Sequence, residues 1–408
     1  MRNVAFALPF AFDTSLRFLK AATQLPGVRV GVISGEPLDR LGPGIARRLA
    51  GHWRVKDPLD AADLVRGVEG LTSQMGRVER LIGVLEQLQV PLARAREHLR
   101  LEGLGAEAAQ NFRDKARMKD AFRQAGVPCA RHRLAKTPGE VRAFLKEVGL
   151  PVVIKPQAGA GAKNTFRLDR AEHVAEALRA FPPSARDPML LEEFVTGEEH
   201  SFDSVVLGGR LVWSSISRYR PTPLEVLENG WIQWSVMLPR DVSGPEYAAI
   251  RAVAPKALGA LGMTNGLSHM EWFRRGDGSV AISEVGARPP GAQIVTLMSY
   301  AHDTDLYQAW ARLMLLDAFD PPARPYAAGA AFLRGQGKGD RVIAVHGLER
   351  AQAEVGDLVV EAKLPRPGQP RASGYEGDGY VIVRHPRTEV VQEALERIVT
   401  RVRVELGS

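Results

Sequence analysis

Short apolar runs separated by amphipathic stretches organise the first hundred or so positions of the chain. Residues 3–8 and 28–34 ("VRVGVIS") read as buried strands, and 13–25 between them as a helix, the beginning of a βαβ unit. The pattern predicts further helices over 43–50 and 74–87, and "LARAREHLRLEGLG", running to about 108, completes this part. In "NFRDKARMKDAFRQAGVP", Met118 and Phe122 share a helix face and Gly126 with Pro128 stops the helix, which places a domain boundary near 110. From 150 onward strands dominate: 151–155, 165–168, 189–195, 200–207, 210–217, 230–237, 267–274 and 279–286. A helix crosses between the second and third of these, where Asp169 and Glu172 have capping-box spacing. Beyond Pro289 a long helix, 292–316, runs into the linker "DPPARP", and 326–408 alternates strands with a final amphipathic helix at 388–405.

Composition narrows the class. A chain of 408 residues, 45% hydrophobic and 25% charged, is globular and too long for one typical core. The apolar N-terminal stretch is broken by Pro9, Asp13 and Arg17, and no apolar span of about 18 residues follows. The expectation is a soluble, cytoplasmic protein without a membrane partner. The single cysteine, Cys129, excludes an internal disulfide and a cysteine zinc cluster, and in "GVPCARH" it reads as a small filler. The net charge of +7 comes from scattered basic residues lacking aromatic partners, so no nucleic-acid partner is expected. Only 11 of the 54 basic residues are lysines, which makes a lysine at a special position informative.

Lys155 is at such a position. In "VVIKPQAGAGAKNT" a buried strand ends in this lysine and runs into a glycine/alanine loop with Gly159, Gly161 and Lys163. Such a loop has little side-chain bulk and many free N–H groups, which suits wrapping around phosphate oxygens, while a lysine at its base neutralises their charge. It is not a Walker P-loop, because "TFRL" after it continues as a strand. An ordinary mobile hairpin loop is the plainer alternative.

A second feature lies in "LSHMEWFRRGDGSVAISEVGAR". Taking Asp277-Gly278 as a two-residue hairpin turn sets Phe273 across from Ile282, Trp272 across from Ser283, and Glu271 across from Glu284. Opposed carboxylates at about 5 Å repel, so a cation is expected between them. Mg²⁺ takes one or two carboxylates and completes its shell with water and phosphate oxygens. A register slip, or an arginine on each carboxylate, would remove the site. The same alternation puts Glu284, Gly286 and Arg288 on one face, where Arg288 could clamp a carboxylate or phosphate rather than make a surface salt bridge. A third feature is "LLEEFVTGEE", a strand ending in glutamates whose free backbone groups could bond an adenine edge.

In order and spacing, "RDKARMK", "VVIKPQAGAGAKNT", "LLEEFVTGEE" and "HMEWF" with "ISEVGARPPG" resemble the ATP-grasp superfamily over about 110–317. The resemblance is strongest to its carboxylate–amine ligase and L-amino-acid ligase branch. It implies an α/β (α+β) ATP-grasp fold: a Rossmann-like pre-ATP-grasp domain over 1–110, and an ATP-grasp domain over 111–320. That domain would have a small lobe at about 128–195 and a large lobe at about 196–320, with a mixed α/β domain over 321–408. It further implies ATP bound by Lys115 and Lys155 under the 157–165 flap, with Glu192, Glu193, Phe194 and Val195 at the adenine and Glu199 on the ribose. Mg²⁺, replaceable by Mn²⁺, would sit on Glu271 and Glu284, and Arg288 would hold the carboxylate being activated. Many members carry asparagine two residues after the second glutamate, where this chain has Gly286. The implied activity is amide formation through an acyl phosphate, with ADP released, on small carboxylates and amines such as amino acids. A homodimer is compatible with it. The alternatives are a carboxylase or formate-dependent transformylase-like enzyme, and a nucleotide-binding module without catalysis.

Overall fold

The computed structural model describes residues 1–158 and 165–407. Gly159, Gly161 and Lys163 lie outside the described residues. Four strands, β1 (Arg2–Leu8), β2 (Val28–Ser34), β3 (Gly51–Arg54) and β4 (Arg80–Ile82), form a parallel sheet in the order β3-β2-β1-β4. β4 falls inside the segment expected to be a helix at 74–87. The helix there is Ala61–Met75, and Gly76, at φ 87°, ends it. The short apolar run of Leu81 and Ile82 then pairs with β1, Phe6 opposite Ile82, and is buried on both sides. A run this short fits both periodicities, and the parallel sheet decides it.

The second sheet is antiparallel: β5 (His132–Ala135), β6 (Val152–Lys155), β7 (Phe166–Leu168) and β8 (Met189–Glu193), in the order β5-β8-β6-β7. The helix Ala171–Ala180 crosses between β7 and β8. Its capping box does not form: the helix starts one residue later than that spacing requires, with Arg170 in the cap position, and Asp169 accepts instead from Arg167 Nε at 2.7 Å.

The remaining strands are β9 (Glu198–Leu207), β10 (Arg210–Arg220), β11 (Trp234–Leu238), β12 (Gly266–Arg274), β13 (Val280–Gly286), β14 (Ala327–Leu333), β15 (Gly335–Gln336), β16 (Arg341–His346), β17 (Val359–Lys363), β18 (Gly379–His385) and β19 (Arg403–Gly407). Eight of them make the central sheet, β13-β12-β9-β10-β11-β14-β18-β17, and β15-β19-β16 form a small one. The central sheet runs unbroken across residue 320, because β11 pairs directly with β14, Trp234 opposite Phe332. The C-terminal segment therefore extends the sheet of the preceding segment, and a boundary at 320 divides that sheet.

Two expected helices are shortened. The stretch 292–316 is two helices, Ile294–His302 and Leu306–Leu316, separated where Asp305 caps the second by accepting from Tyr307 and Gln308 N–H. At the C-terminus the helix stops at Arg401, and "RVELG" alternates in period two as β19. The N-terminal sheet is tied to the rest through aromatic packing. Phe18 lies edge-on to Tyr307 and Trp310, with ring centroids 4.7 and 4.8 Å away. Among the described residues no helix is long and apolar enough to cross a membrane.

Candidate active site

Asp114 accepts hydrogen bonds from the N–H groups of Ala116 and Arg117 and so starts the helix Lys115–Gln124. Lys115 and Lys119, four residues apart, consequently point the same way. Lys115 Nζ donates to Glu284 Oε1 at 2.9 Å. Lys119 is fully buried and donates to the Ser283 carbonyl at 3.0 Å, with Glu192 Oε2 3.2 Å away. The same Glu192 oxygen lies 2.8 Å from Lys155 Nζ at the end of β6. Val153 is directly opposite Glu192, so Lys155 reaches it diagonally across the ladder.

This buried triad assigns distinct states to its members. Burial alone would raise Glu192, but the two lysines hold it below the usual carboxylate range. Burial likewise presses down on Lys155, yet Glu192, with Glu284 and Glu271 beyond it, carries that lysine above its ordinary value. For Lys119 burial prevails and the shift is downward. Lys155 is therefore the firmly charged lysine, and Lys119, which the sequence reading did not single out, supports the carboxylate from below. Two lysines four apart before a third on a strand end was the available signal.

Glu271 and Glu284 are directly opposed across β12 and β13, as expected, but the rest of that register differs. Phe273 faces Ala281 and Trp272 faces Ile282. The turn holds three residues, 276–278, closed by Arg275 N–H to Ser279 O at 2.9 Å, with Gly278 at φ 81°. That displaces the pairing by one position. A bulge between Glu271 and Trp272, opposite Ser283, then restores it. The bulge has a cause outside the hairpin: Lys119 takes the Ser283 carbonyl, and the Ile282 N–H donates to Pro128 O at 2.9 Å.

The repulsion between the two carboxylates is met by cations. Lys115 bonds Glu284, while His269 Nε2 lies 3.6 Å from Glu271 Oε1 and its Nδ1 lies 2.7 Å from the fully buried Asp203. Burial would lower His269, but Asp203 and Glu271 hold it protonated, up to about 9. Glu271 is held down in return: burial raises it, and His269 outweighs that. Both carboxylates keep exposed surface toward the cavity. Among the described residues no group of three or more His, Cys, Asp or Glu is arranged to hold a metal by itself. Two half-exposed carboxylates fit a hard cation that takes its other oxygens from water and phosphate.

Relative to an unfolded histidine near 6.5, the folded state binds the His269 proton more tightly. Its stabilisation is complete below about pH 6.5 and is lost as pH rises through about 9, amounting to about 3 kcal/mol. Buried Glu199, raised to about 8 first by burial and then by Glu271, acts in the same direction because its neutral form is favoured in the fold. The urea midpoint of the ligand-free protein is expected to fall from about pH 6.5 to 9. His269→Gln is expected to remove the part of that fall above about pH 8; a wild-type midpoint that stays flat over the window would contradict the assignment.

Arg288 reaches the same cavity as Lys115, Lys155, Glu199, Glu271 and Glu284. Its Nε donates to Glu86 Oε2 at 2.7 Å and its Nη1 to the Pro289 carbonyl at 2.9 Å. A Cβ on Gly286 would stand 3.0 Å from that Glu86 oxygen, so Glu86 fills the space an asparagine side chain would need. Glu86 was not anticipated, because it follows β4, the strand read as helix. Carboxyl ends of parallel strands are where such groups collect. Phe273, directly across from Glu199 on β9, also lines the cavity. The side chains at the exit of β8 are engaged within the protein. Glu192 is buried in the lysine triad, Glu193 is paired with Arg131, and Phe194 lies under the Arg167 guanidinium at 4.1 Å. Among the described residues, the lining of this cavity includes none of Glu192 to Val195.

Two lysines, an opposed carboxylate pair and an arginine around one cavity suit a polyphosphate, a divalent cation and a second anion. Residues 120–302 match the model of the ATP-grasp domain. This segment is an ATP-grasp domain. The chain is 27% identical over 346 residues to an uncharacterized protein, y4rH, of Sinorhizobium fredii, covering 81% of this chain and 70% of that protein. To the L-arginine-specific L-amino acid ligase of Bacillus subtilis it is 22% identical over 265 residues, 64% of this chain and 63% of the ligase, so it spans just under two thirds of that relative. The L-amino acid ligase from Bacillus licheniformis has the same fold, with a TM-score of 0.80 at 20% identity over 100% of this chain and 99% of that one. N5-carboxyaminoimidazole ribonucleotide synthetase from Thermotoga maritima gives 0.72 at 17% over the whole of both chains. ATP-grasp ligases of these kinds form carbon–nitrogen bonds with release of ADP.

Proposed function

We propose that this ATP-grasp ligase joins an amino-acid carboxylate to an amine through an acyl phosphate. The observation that carries the reading is the meeting of Arg288 with the opposed Glu271–Glu284 pair and Lys155 in one cavity. Lys115 and Lys155 hold the phosphates of ATP, and Glu199 accepts from the ribose. Glu271 and Glu284 would hold Mg²⁺, for which Mn²⁺ can substitute, and a cation bound there neutralises charge on the transferring phosphoryl group. Arg288, fixed by Glu86, orients the substrate carboxylate for in-line attack on the γ-phosphorus. The amine then attacks the acyl carbon, and phosphate leaves. The N5-carboxyaminoimidazole and amino-acid enzymes share this fold, so the acceptor decides between them. ADP release should follow pairs of amino acids, with an amide of matching mass, and not bicarbonate or formate. ADP release with bicarbonate or formate alone would replace the reading with a carboxylase or transformylase.

Arg288→Lys is expected to keep ATP affinity and to lower kcat/KM for the carboxylate by about 100-fold. A lysine cannot donate at once to Glu86 and to the Pro289 carbonyl and still present a planar fork. Carboxylate kinetics equal to wild type would remove Arg288 from the substrate site.

A further inference from the structure

On the sheet face that bears Glu271, the side chains change character strand by strand. β12 contributes His269, Glu271 and Phe273, and β9 sets Asp203, Ser201 and Glu199 opposite them. Farther along, β10 brings Tyr219, which pairs with Val236 of β11; Trp234, two residues from Val236, shares that face. The helix Pro223–Glu228 lies at this end and turns Leu224, Val226 and Leu227 into the same cavity. Every charged residue in the described lining belongs to the set already placed around the phosphate and carboxylate groups, with His269. The wall at β10 and β11 is apolar and aromatic.

That wall is fixed. The indole N–H of Trp234 donates to the Tyr375 carbonyl at 2.7 Å, so the Trp234 ring presents only apolar surface. Tyr375 comes from the C-terminal segment and leans over Gly291, where a Cβ would meet its hydroxyl at 2.6 Å. The next residue, Glu376, accepts from the Ala292 N–H at 3.1 Å and from Gln293 Nε2 at 3.3 Å, both residues having positive φ. The C-terminal segment thus completes the cavity beside Arg288.

We propose that the carboxylate substrate carries an apolar side chain, branched aliphatic or aromatic, seated against Tyr219, Trp234, Leu224, Val226 and Leu227 while its carboxylate reaches Arg288. This rests on the ligase reading above. A charged side chain against that wall would lose its hydration without gaining a partner, and a substrate without a side chain would leave the wall in contact with water. Leu224 and Leu227 are half-buried, so they are the positions where selectivity can be changed without emptying the core.

The test uses hydroxylamine as the nucleophile, which attacks the acyl carbon, displaces phosphate and leaves a hydroxamate, so the natural amine need not be known. With ATP and Mg²⁺, leucine, isoleucine and phenylalanine should each give hydroxamate with kcat/KM at least about tenfold above glycine, aspartate, lysine and arginine. Leu227→Glu should lower the phenylalanine value about tenfold and narrow its advantage over lysine. Calorimetric ATP binding and thermal unfolding identify a folded variant, and Leu224→Glu serves if Leu227→Glu does not fold. Hydroxamate formed fastest from glycine or a charged amino acid would overturn the inference and leave the ligase reading standing. No hydroxamate from any amino acid would overturn both.

Discussion

Glu284→Gln and Glu271→Gln are each expected to lower Mg²⁺-dependent ADP formation by about 1,000-fold, with the fold retained. Each substitution keeps the side-chain volume and removes one of two opposed negative charges, so the weakened contact with Lys115 or His269 is offset by a relieved repulsion between β12 and β13. What is lost is affinity for a divalent cation. Electron paramagnetic resonance of Mn²⁺ in the presence of ADP reads this without turnover: the wild type should bind the ion and both variants should leave it free. Bound Mn²⁺ at wild-type affinity in either variant, or near-wild-type turnover at ordinary magnesium, would remove the pair from the metal site.

Lys155→Met should have two effects of different origin. Losing a charge-assisted bond to phosphate weakens ATP binding by about 2 kcal/mol, or about 30-fold. Losing the Lys155–Glu192 pair leaves a buried carboxylate with Lys119 alone, which costs about 3 kcal/mol of stability in the ligand-free protein. Adding Glu192→Gln separates them, because it removes the buried charge and should recover much of the stability without restoring ATP affinity. Calorimetry and urea unfolding on the single and double variants check both halves. Unchanged ATP affinity in Lys155→Met would make this an ordinary strand-end lysine.

The strands that carry the site were legible because period-two alternation and turn residues bound them tightly: β6, β12 and β13 lie within a residue of their expected limits. The opposition of Glu271 and Glu284 was also legible, although it arises from a longer turn and a compensating bulge that no local pattern announces. That bulge depends on Lys119 and Pro128, which approach from another part of the chain. Glu86 was hidden because Leu81 and Ile82 suit a helix and a strand equally, and only pairing with β1 chooses. Asp203 and Tyr375 stood in plain strand and loop sequence. Their meaning comes from His269 beside one and Trp234 holding the other, contacts that form only when the sheet closes.

The central claim is that a substrate carboxylate oxygen is phosphorylated before the amine attacks, and isotope transfer tests it most directly. With a leucine or phenylalanine substrate labelled with ¹⁸O in both carboxylate oxygens, one label should appear in each phosphate released and the other should remain in the amide or hydroxamate. Phosphate released without label, at the rate of ADP formation, would contradict the acyl-phosphate route and with it the assignment of Arg288 as the group that presents the carboxylate.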